Sequence, residues 1–407
     1  MAIKRVLIFA PVLLILFLLQ SYFWVPTYEQ QTRGDPDRLN EYITASIGDA
    51  SILNPILSAD TASSAINSMV FEGLVDRDEE LRFRGRLARS WVIHEEAFFY
   101  VNGDAPIPSI GKSDANGVAD LLRKAKASGS IMRPELRATL DNIRDISVIP
   151  ARSFDEQDKK TGSKVHITAP ARIKLVLNRV DQDLFQNLTR LLGADYFRSF
   201  PAMDFLELGY ADIKPPEKSG SENRYSKSGP AMSENTKAEY ADKFLPATEH
   251  NPILVFHLRP DVMFHDGHLF DAEDVKFTFE AIMDPKNLSP RVPDYEPVKR
   301  VDVLDPLTVR IVYKRLYSPA LGTWGMGILP EHLLNNQALR DEAISLGRDP
   351  GEVSMRGSSF NRRPVGCGPF VFRKWKSDQY IALDRFDDYW EGPPNYRRYI
   401  YRLIPDL

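Results

Sequence analysis

Residues 253–280, ILVFHLRPDVMFHDGHLFDAEDVKFTFE, constrain the fold of this chain more than any other stretch. They read as a short buried strand, a compact acidic turn and an amphipathic helix. Ile253, Val255 and Leu258 are expected to supply one apolar face of the strand. Asp266-Gly267 marks a tight turn, because glycine accepts positive φ without steric cost and Asp can bond its own backbone. Asp271 stands as N-cap with Asp274 three residues on, an acidic variant of the capping box at the positive end of a helix. Val275, Phe279 and Ile282 follow at helical spacing.

The same residues carry a resemblance. Leu258-Arg259, Phe264-His265-Asp266-Gly267 and Ala272-Glu273-Asp274-Val275 resemble the signature of the family 5 extracellular solute-binding proteins, the peptide- and nickel-binding receptors of ABC importers. Further segments agree in the same order. Leu53-Asn54-Pro55, Val70-Phe71-Glu72-Gly73-Leu74 and Leu87-Ala88-Arg89-Ser90-Trp91 precede the signature. Asp305-Pro306-Leu307-Thr308-Val309, Ile328-Leu329-Pro330-Glu331-His332, the run Pro364–Phe370 and Asp388-Tyr389-Trp390 follow it. The resemblance implies an α/β (mixed α+β), periplasmic-binding-protein-like type II lobe.

Length and composition fit that class. At 407 residues the chain is long enough for two or three cores. A formal net charge of −4, from 52 basic and 56 acidic residues, lacks the basic balance of a nucleic-acid binder. Cys367 is the single cysteine, which excludes an internal disulfide and a thiolate metal cluster. After Lys4-Arg5 an almost unbroken apolar run extends from Val6 to Val25. Twenty residues at ~1.5 Å each span ~30 Å, the thickness of a hydrocarbon core. The two cations hold the start in the cytoplasm and place the rest outside. The bulky Tyr22-Phe23-Trp24 favours an uncleaved anchor, with a cleaved signal peptide as the alternative. Both readings put the body of the protein in the periplasm.

From these signals we divide the chain as follows: 1–25, membrane anchor or signal; 26–62, first part of a lobe; 63–101, first part of a subdomain. Residues 102–251 form an insertion, 252–299 complete the subdomain, and 300–407 continue the lobe. In the family the strand after Ser-Trp runs almost directly into the Leu-Arg strand, so the insertion of about 150 residues is the largest departure. Within it, 118–127, 134–146 and 180–192 read as helices, the last stopped by Gly193, and 165–168 and 173–177 as strands. Residues 214–243 read as a mobile polar loop. Residues 170–180 also line up with 306–316, PARIKLVLNRV against PLTVRIVYKRL, which raises an internal structural repeat. At its end, 403–407 resembles the strand on which the family's chain crosses into a second lobe; the expectation is that this lobe lies outside the sequence.

Receptors of this kind hold a ligand between lobes that close about a hinge. By position in the family, Asp49, Ala50 and Ser51 are expected to border the ligand. Phe277 matches a place where an aromatic ring faces ligand, and Trp324 lies on a helix start turned the same way. Core packing is the competing reading for both rings. His265 and His268 straddle a turn and lack the one-face spacing of a helical His pair, while Asp271 and Asp274 already have a capping role. No metal site and no cofactor is therefore expected. Gly366 and Gly368 are expected to let the chain approach a neighbouring strand, with Cys367 a buried thiol between them. No nucleophile, zinc-hydrolase or phosphate-loop motif appears, so no catalytic residue is assigned and binding is the expected work. The expected ligand is a peptide or similar small solute, and the expected partners are the permease subunits of an ABC importer. The alternative is a membrane-anchored, non-catalytic interaction protein built on half of a solute-binding fold.

Overall fold

The computed structural model describes residues 11, 14–20, 40–128, 133–157, 164–209, 234–351 and 353–404. Most of the apolar N-terminal run lies outside them; within it, 14–20 are helical. Among the described residues no helix is long and apolar enough to cross a membrane.

The strands, in chain order, are β1 Glu41–Ser46, β2 Val75–Arg77, β3 Phe83–Gly85, β4 Ala88–Tyr100, β5 Ile143–Ile149, β6 Arg152–Gln157, β7 Lys164–Ala169 and β8 Arg172–Leu177. They continue with β9 Leu206–Gly209, β10 Thr248–Leu258, β11 Val298–Asp305, β12 Thr308–Tyr313, β13 Phe370–Lys376, β14 Tyr380–Arg385 and β15 Arg398–Leu403. The longer helices are α1 Thr61–Val70, α2 Ala115–Ala127, α3 Pro134–Asn142, α4 Leu184–Leu192, α5 Glu234–Phe244, α6 Ala272–Met283 and α7 Asn336–Ser345. The fold is mixed α/β, as the family resemblance implied. The chain forms two compact units, one of residues 1–76, 259–292 and 324–407, the other of 77–258 and 293–323.

The first unit contains a four-stranded sheet in the order β1-β15-β14-β13, with β1 and β15 parallel and the other pairs antiparallel. Its helix α6 starts as its sequence dictates. Asp271 accepts from the Glu273 amide at 2.8 Å, and Asp274 accepts from the Asp271 amide at 3.0 Å, closing a capping box. Val275 and Ile282 are fully buried behind it, and Phe279 is half-buried.

The second unit is built on a six-stranded antiparallel sheet, β11-β12-β10-β4-β8-β5. Helices α2, α3 and α4 bury their apolar stripes with Ala97, Phe99, Ile173, Leu175 and Leu177 in one core. A smaller core joins the three-stranded sheet β6-β7-β9 to α5 and to Tyr100. Three local expectations change here. The helix expected over 134–146 ends at Asn142, and Ile143–Ile149 is a strand, because the β-branched Ile143, Ile146, Val148 and Ile149 favour the pleated sheet. Leu254, Phe256 and Leu258 are the deeply buried face of β10, and Ile253 is buried on the opposite face; a central strand is covered on both sides. Residues 234–243, expected as loop, fall in α5, while 214–233 lie outside the described residues.

The repeat between 170–180 and 306–316 is visible in the sheet. Strands β8 and β12 share one burial pattern, and each pairs with a partner, β5 or β11, carrying the same irregularity at its start. The register slips between Ile143 and Asp145 in one pair and between Val298 and Arg300 in the other. The flanking backbone bonds also correspond. Val101 donates to the Ala171 carbonyl at 3.0 Å as Leu258 does to Leu307 at 2.8 Å. Asn178 donates to Asn142 at 2.9 Å as Lys314 does to Pro297 at 2.8 Å. Strands β4, β5 and β8 thus repeat β10, β11 and β12, with phenylalanines 99 and 256 in equivalent buried places. Between β4 and β10, strands β5 and β8 therefore extend one sheet by repeating its own pattern.

Candidate functional site

Several of the motifs that carry the resemblance converge in the first unit. At the end of α1 the chain meets the Pro364–Phe370 run at very short range. A Cβ on Gly366 would lie 2.0 Å from the Val70 carbonyl oxygen, and one on Gly368 would lie 2.8 Å from it. The Gly368 amide donates to that same carbonyl at 2.9 Å. The glycines therefore admit a helix C-terminus, not the strand expected from the sequence. Between them Cys367 is fully buried, and burial, then the Glu72 carboxylate, push its thiol well above the ordinary range. It remains protonated and inert.

Glu72 is the polar hub of this junction. Its buried carboxylate accepts from the Tyr389 hydroxyl at 3.0 Å and the Trp390 indole at 2.8 Å, and Arg259 lies 4.0 Å over the Trp390 ring. The Glu72 carbonyl accepts from the Ile328 amide at 2.9 Å.

The turn at 264–268 docks beside it. The His265 amide donates to the Gly366 carbonyl at 2.8 Å, its Nε2 lies 2.9 Å from the Gly368 carbonyl, and its Nδ1 accepts from the Gly366 amide at 3.2 Å. Both ring nitrogens are used by backbone, which fixes the neutral tautomer with the proton on Nε2. Burial holds its pKa at about 4, against the weaker opposing pulls of the Gly368 carbonyl and Asp266. His332 bonds Asp266 at 2.7 Å and stacks on His268, with ring centroids 3.9 Å apart. Among the described residues no group of three or more His, Cys, Asp or Glu side chains could hold a metal ion.

A pocket of about 640 Å³ opens alongside, walled by His265, Asp266, Arg362, Arg363, Lys374 and Trp375 among others. Asp49 belongs to its support. Its carboxylate accepts from the Trp375 indole at 3.1 Å and the Asp378 amide at 3.0 Å, and the Arg362 guanidinium lies over the same ring, 3.8 Å from its centroid. Ala50 is buried, and Ser51 is exposed, its hydroxyl bonded to Asp60 and its amide to the Ser63 hydroxyl at 2.9 Å. Phe277 is half-buried on α6, and Trp324 is fully buried, its carbonyl accepting from the Leu74 amide at 2.8 Å. Neither ring walls the pocket. The sequence reading missed Trp375 and Arg362. Alternation in FVFRKWK marks a strand, but nothing local shows that its Trp meets Asp49, some 326 positions away. Cations, an aromatic plane and a neutral histidine suit binding of a polar or anionic solute.

Comparison with known proteins bears on the same region. Residues 247–407 match the family model of the bacterial extracellular solute-binding proteins, family 5 Middle. Over that stretch the chain is related to this family of solute-binding proteins. Oligopeptide-binding protein AppA of Bacillus subtilis (strain 168) is 34% identical over 154 residues, covering 37% of this chain and 26% of AppA. Heme-binding protein A of Haemophilus influenzae is 29% identical over 168 residues, covering 37% of this chain and 29% of that protein. Glutathione-binding protein GsiB of Pectobacterium atrosepticum is 27% identical over 150 residues, covering 37% of this chain and 26% of GsiB. The chain thus spans less than a third of the length of these curated relatives. The solved structure of AppA from Bacillus subtilis in complex with a nonapeptide aligns with 90% of this chain and 40% of its own, at 18% identity and a TM-score of 0.45.

Proposed function

We propose that this protein is the extracytoplasmic substrate-binding component of an ABC importer, binding peptides or similar small solutes and delivering them to permease subunits. The observation that carries the reading is the family match over 247–407, a stretch that includes the His265 turn, Gly366 and Gly368, and the Tyr389 and Trp390 partners of Glu72. Relatives named for binding oligopeptides, glutathione and heme support a small-solute ligand. In this reading Asp49, Ala50, Ser51 and Phe277 border the ligand, and Asp49 holds Trp375 in place. The N-terminal apolar run anchors the protein to the inner membrane or directs its export, and the work is binding rather than catalysis. Equilibrium titration with a mixed peptide pool, comparing the natural protein with Phe277→Ala and Trp375→Ala, tests this. Weakened binding in both variants is expected, and unchanged binding in both contradicts the assigned residues.

The second reading, a membrane-anchored non-catalytic interaction protein on half of the fold, is favoured by one observation: strands β5 and β8, within 102–251, extend the sheet as part of a repeat. Cross-linking from that segment in native membranes separates the two. A permease adduct with solute binding supports the receptor, and an adduct without solute binding supports the interaction protein.

A further inference from the structure

The repeat in the six-stranded sheet exposes a difference between its halves. On the face opposite the helices, β4 and β8 present Phe98, Tyr100 and Arg172. The equivalent places in β10 and β12 hold Val255, His257 and Thr308. The same backbone positions are thus filled in the other half without an arginine or a benzene ring. The sheet as such does not require them.

These side chains wall a cleft of about 380 Å³, closed from the other side by Arg152, Phe154 and Phe244 of the smaller layer. Its volume lies in the range of small-molecule sites. The charges can be accounted for one by one. Glu96 pairs with Lys174 at 2.8 Å, Glu249 with Lys299 at 3.4 Å, and Arg300 with Asp302 at 3.0 Å. Among the described residues that leaves Arg152 and Arg172 without a carboxylate partner. Each instead lies on a ring, Arg172 4.6 Å from the centroid of Phe98 and Arg152 4.8 Å from that of Phe154. Stacking holds a guanidinium in place while leaving its N–H edge free to fork onto a carboxylate. Tyr100 adds a hydroxyl at the floor; it is 7% exposed, and burial raises its pKa above the ordinary phenol value, so it stays a donor.

We propose that this cleft in the second unit is a further ligand site that takes a small carboxylate on an aromatic body. The carboxylate sits between Arg152 and Arg172, and the ring lies among Phe98, Phe154 and Phe244.

Calorimetric titration of the full chain with phenylacetate, phenylacetamide and inorganic phosphate tests the assignment. Phenylacetate is expected to bind saturably, and phenylacetamide and phosphate at least about tenfold more weakly, because each lacks one half of the recognised group. Arg172→Met is expected to weaken phenylacetate by about tenfold or more, with the far-ultraviolet dichroism and melting of the parent. Should that variant fail to fold, Arg172→Lys keeps the charge without the fork and is expected to lose affinity similarly. No saturable phenylacetate binding, equal affinity for acid and amide, equal affinity for phosphate, or binding indifferent to both variants overturns the proposal.

Discussion

Replacing His265 by Gln isolates a single titrating group on which the glycine junction depends. In the folded protein the imidazole is neutral, bonded through both nitrogens to Gly366 and Gly368, with a pKa of about 4. In the unfolded chain it returns to its ordinary value of 6.5. The folded value is depressed, so above pH 6.5 both states are neutral and the native contacts stabilise in full. As pH falls from 6.5 toward 4 the unfolded state takes up a proton that the folded state refuses, and stability is lost. At ~1.4 kcal/mol per tenfold in proton concentration, the loss by pH 4 is about 3 kcal/mol. A glutamine carries no such charge. His265→Gln is expected to cost about 1–3 kcal/mol at pH 7, through imperfect replacement of buried hydrogen bonds. Most of that difference should disappear, or reverse, by pH 4. Urea unfolding of both proteins at half-unit pH steps measures the difference, and the His265 ring proton shift in NMR gives the pKa itself. A His265 titration near 6.5, or a wild-type-minus-variant difference flat from pH 7 to 4, refutes the reasoning.

Other perturbations follow from the same geometry. Gly366→Ala forces a methyl against the Val70 carbonyl and is expected to destabilise by about 1–3 kcal/mol in urea unfolding; a change under about 0.5 kcal/mol refutes the close contact. Burial raises the Asp274 pKa to about 7 despite the Glu331 and Asp271 amides it accepts from. Because the folded value lies above the unfolded one, its contribution is present at acid pH and lost as pH rises through about 7. Asp274→Asn should therefore gain on the wild type between pH 5 and 8, and a parallel pair of stability curves contradicts this. Asp49→Ala removes the acceptor of the Trp375 indole and is expected to shift tryptophan emission and weaken solute binding about tenfold, with unchanged dichroism. Unaltered emission and affinity would separate Asp49 from the site.

Much of the local structure was written in local chemistry. The capping box of α6 needs only Asp271 and Asp274 at the right spacing, whereas the mixed α/β class came with the family resemblance carried by several separated motifs. The repeat at 170–180 and 306–316 was legible because alternating apolar residues encode one burial pattern twice. What depended on distant partners was not legible. Nothing near β10 says that both its faces are covered. Gly366 and Gly368 declare a close approach but not to what, and they meet a helix end. The helix expected through Ile146 breaks at Asn142, whose buried side chain bonds the Arg179 carbonyl and amide, 37 positions on. The candidate pocket was read through Asp49 but not through Trp375, since their meeting is set by the fold of β13.

The central claim, that this protein binds a small solute for transport, is tested most directly by calorimetric titration of the natural gene product with a pool of short peptides. The account predicts saturable binding at one site, micromolar or tighter, that is lost with Trp375→Ala. Absence of heat from peptides, glutathione and heme alike, in a protein shown by dichroism to be folded, contradicts it.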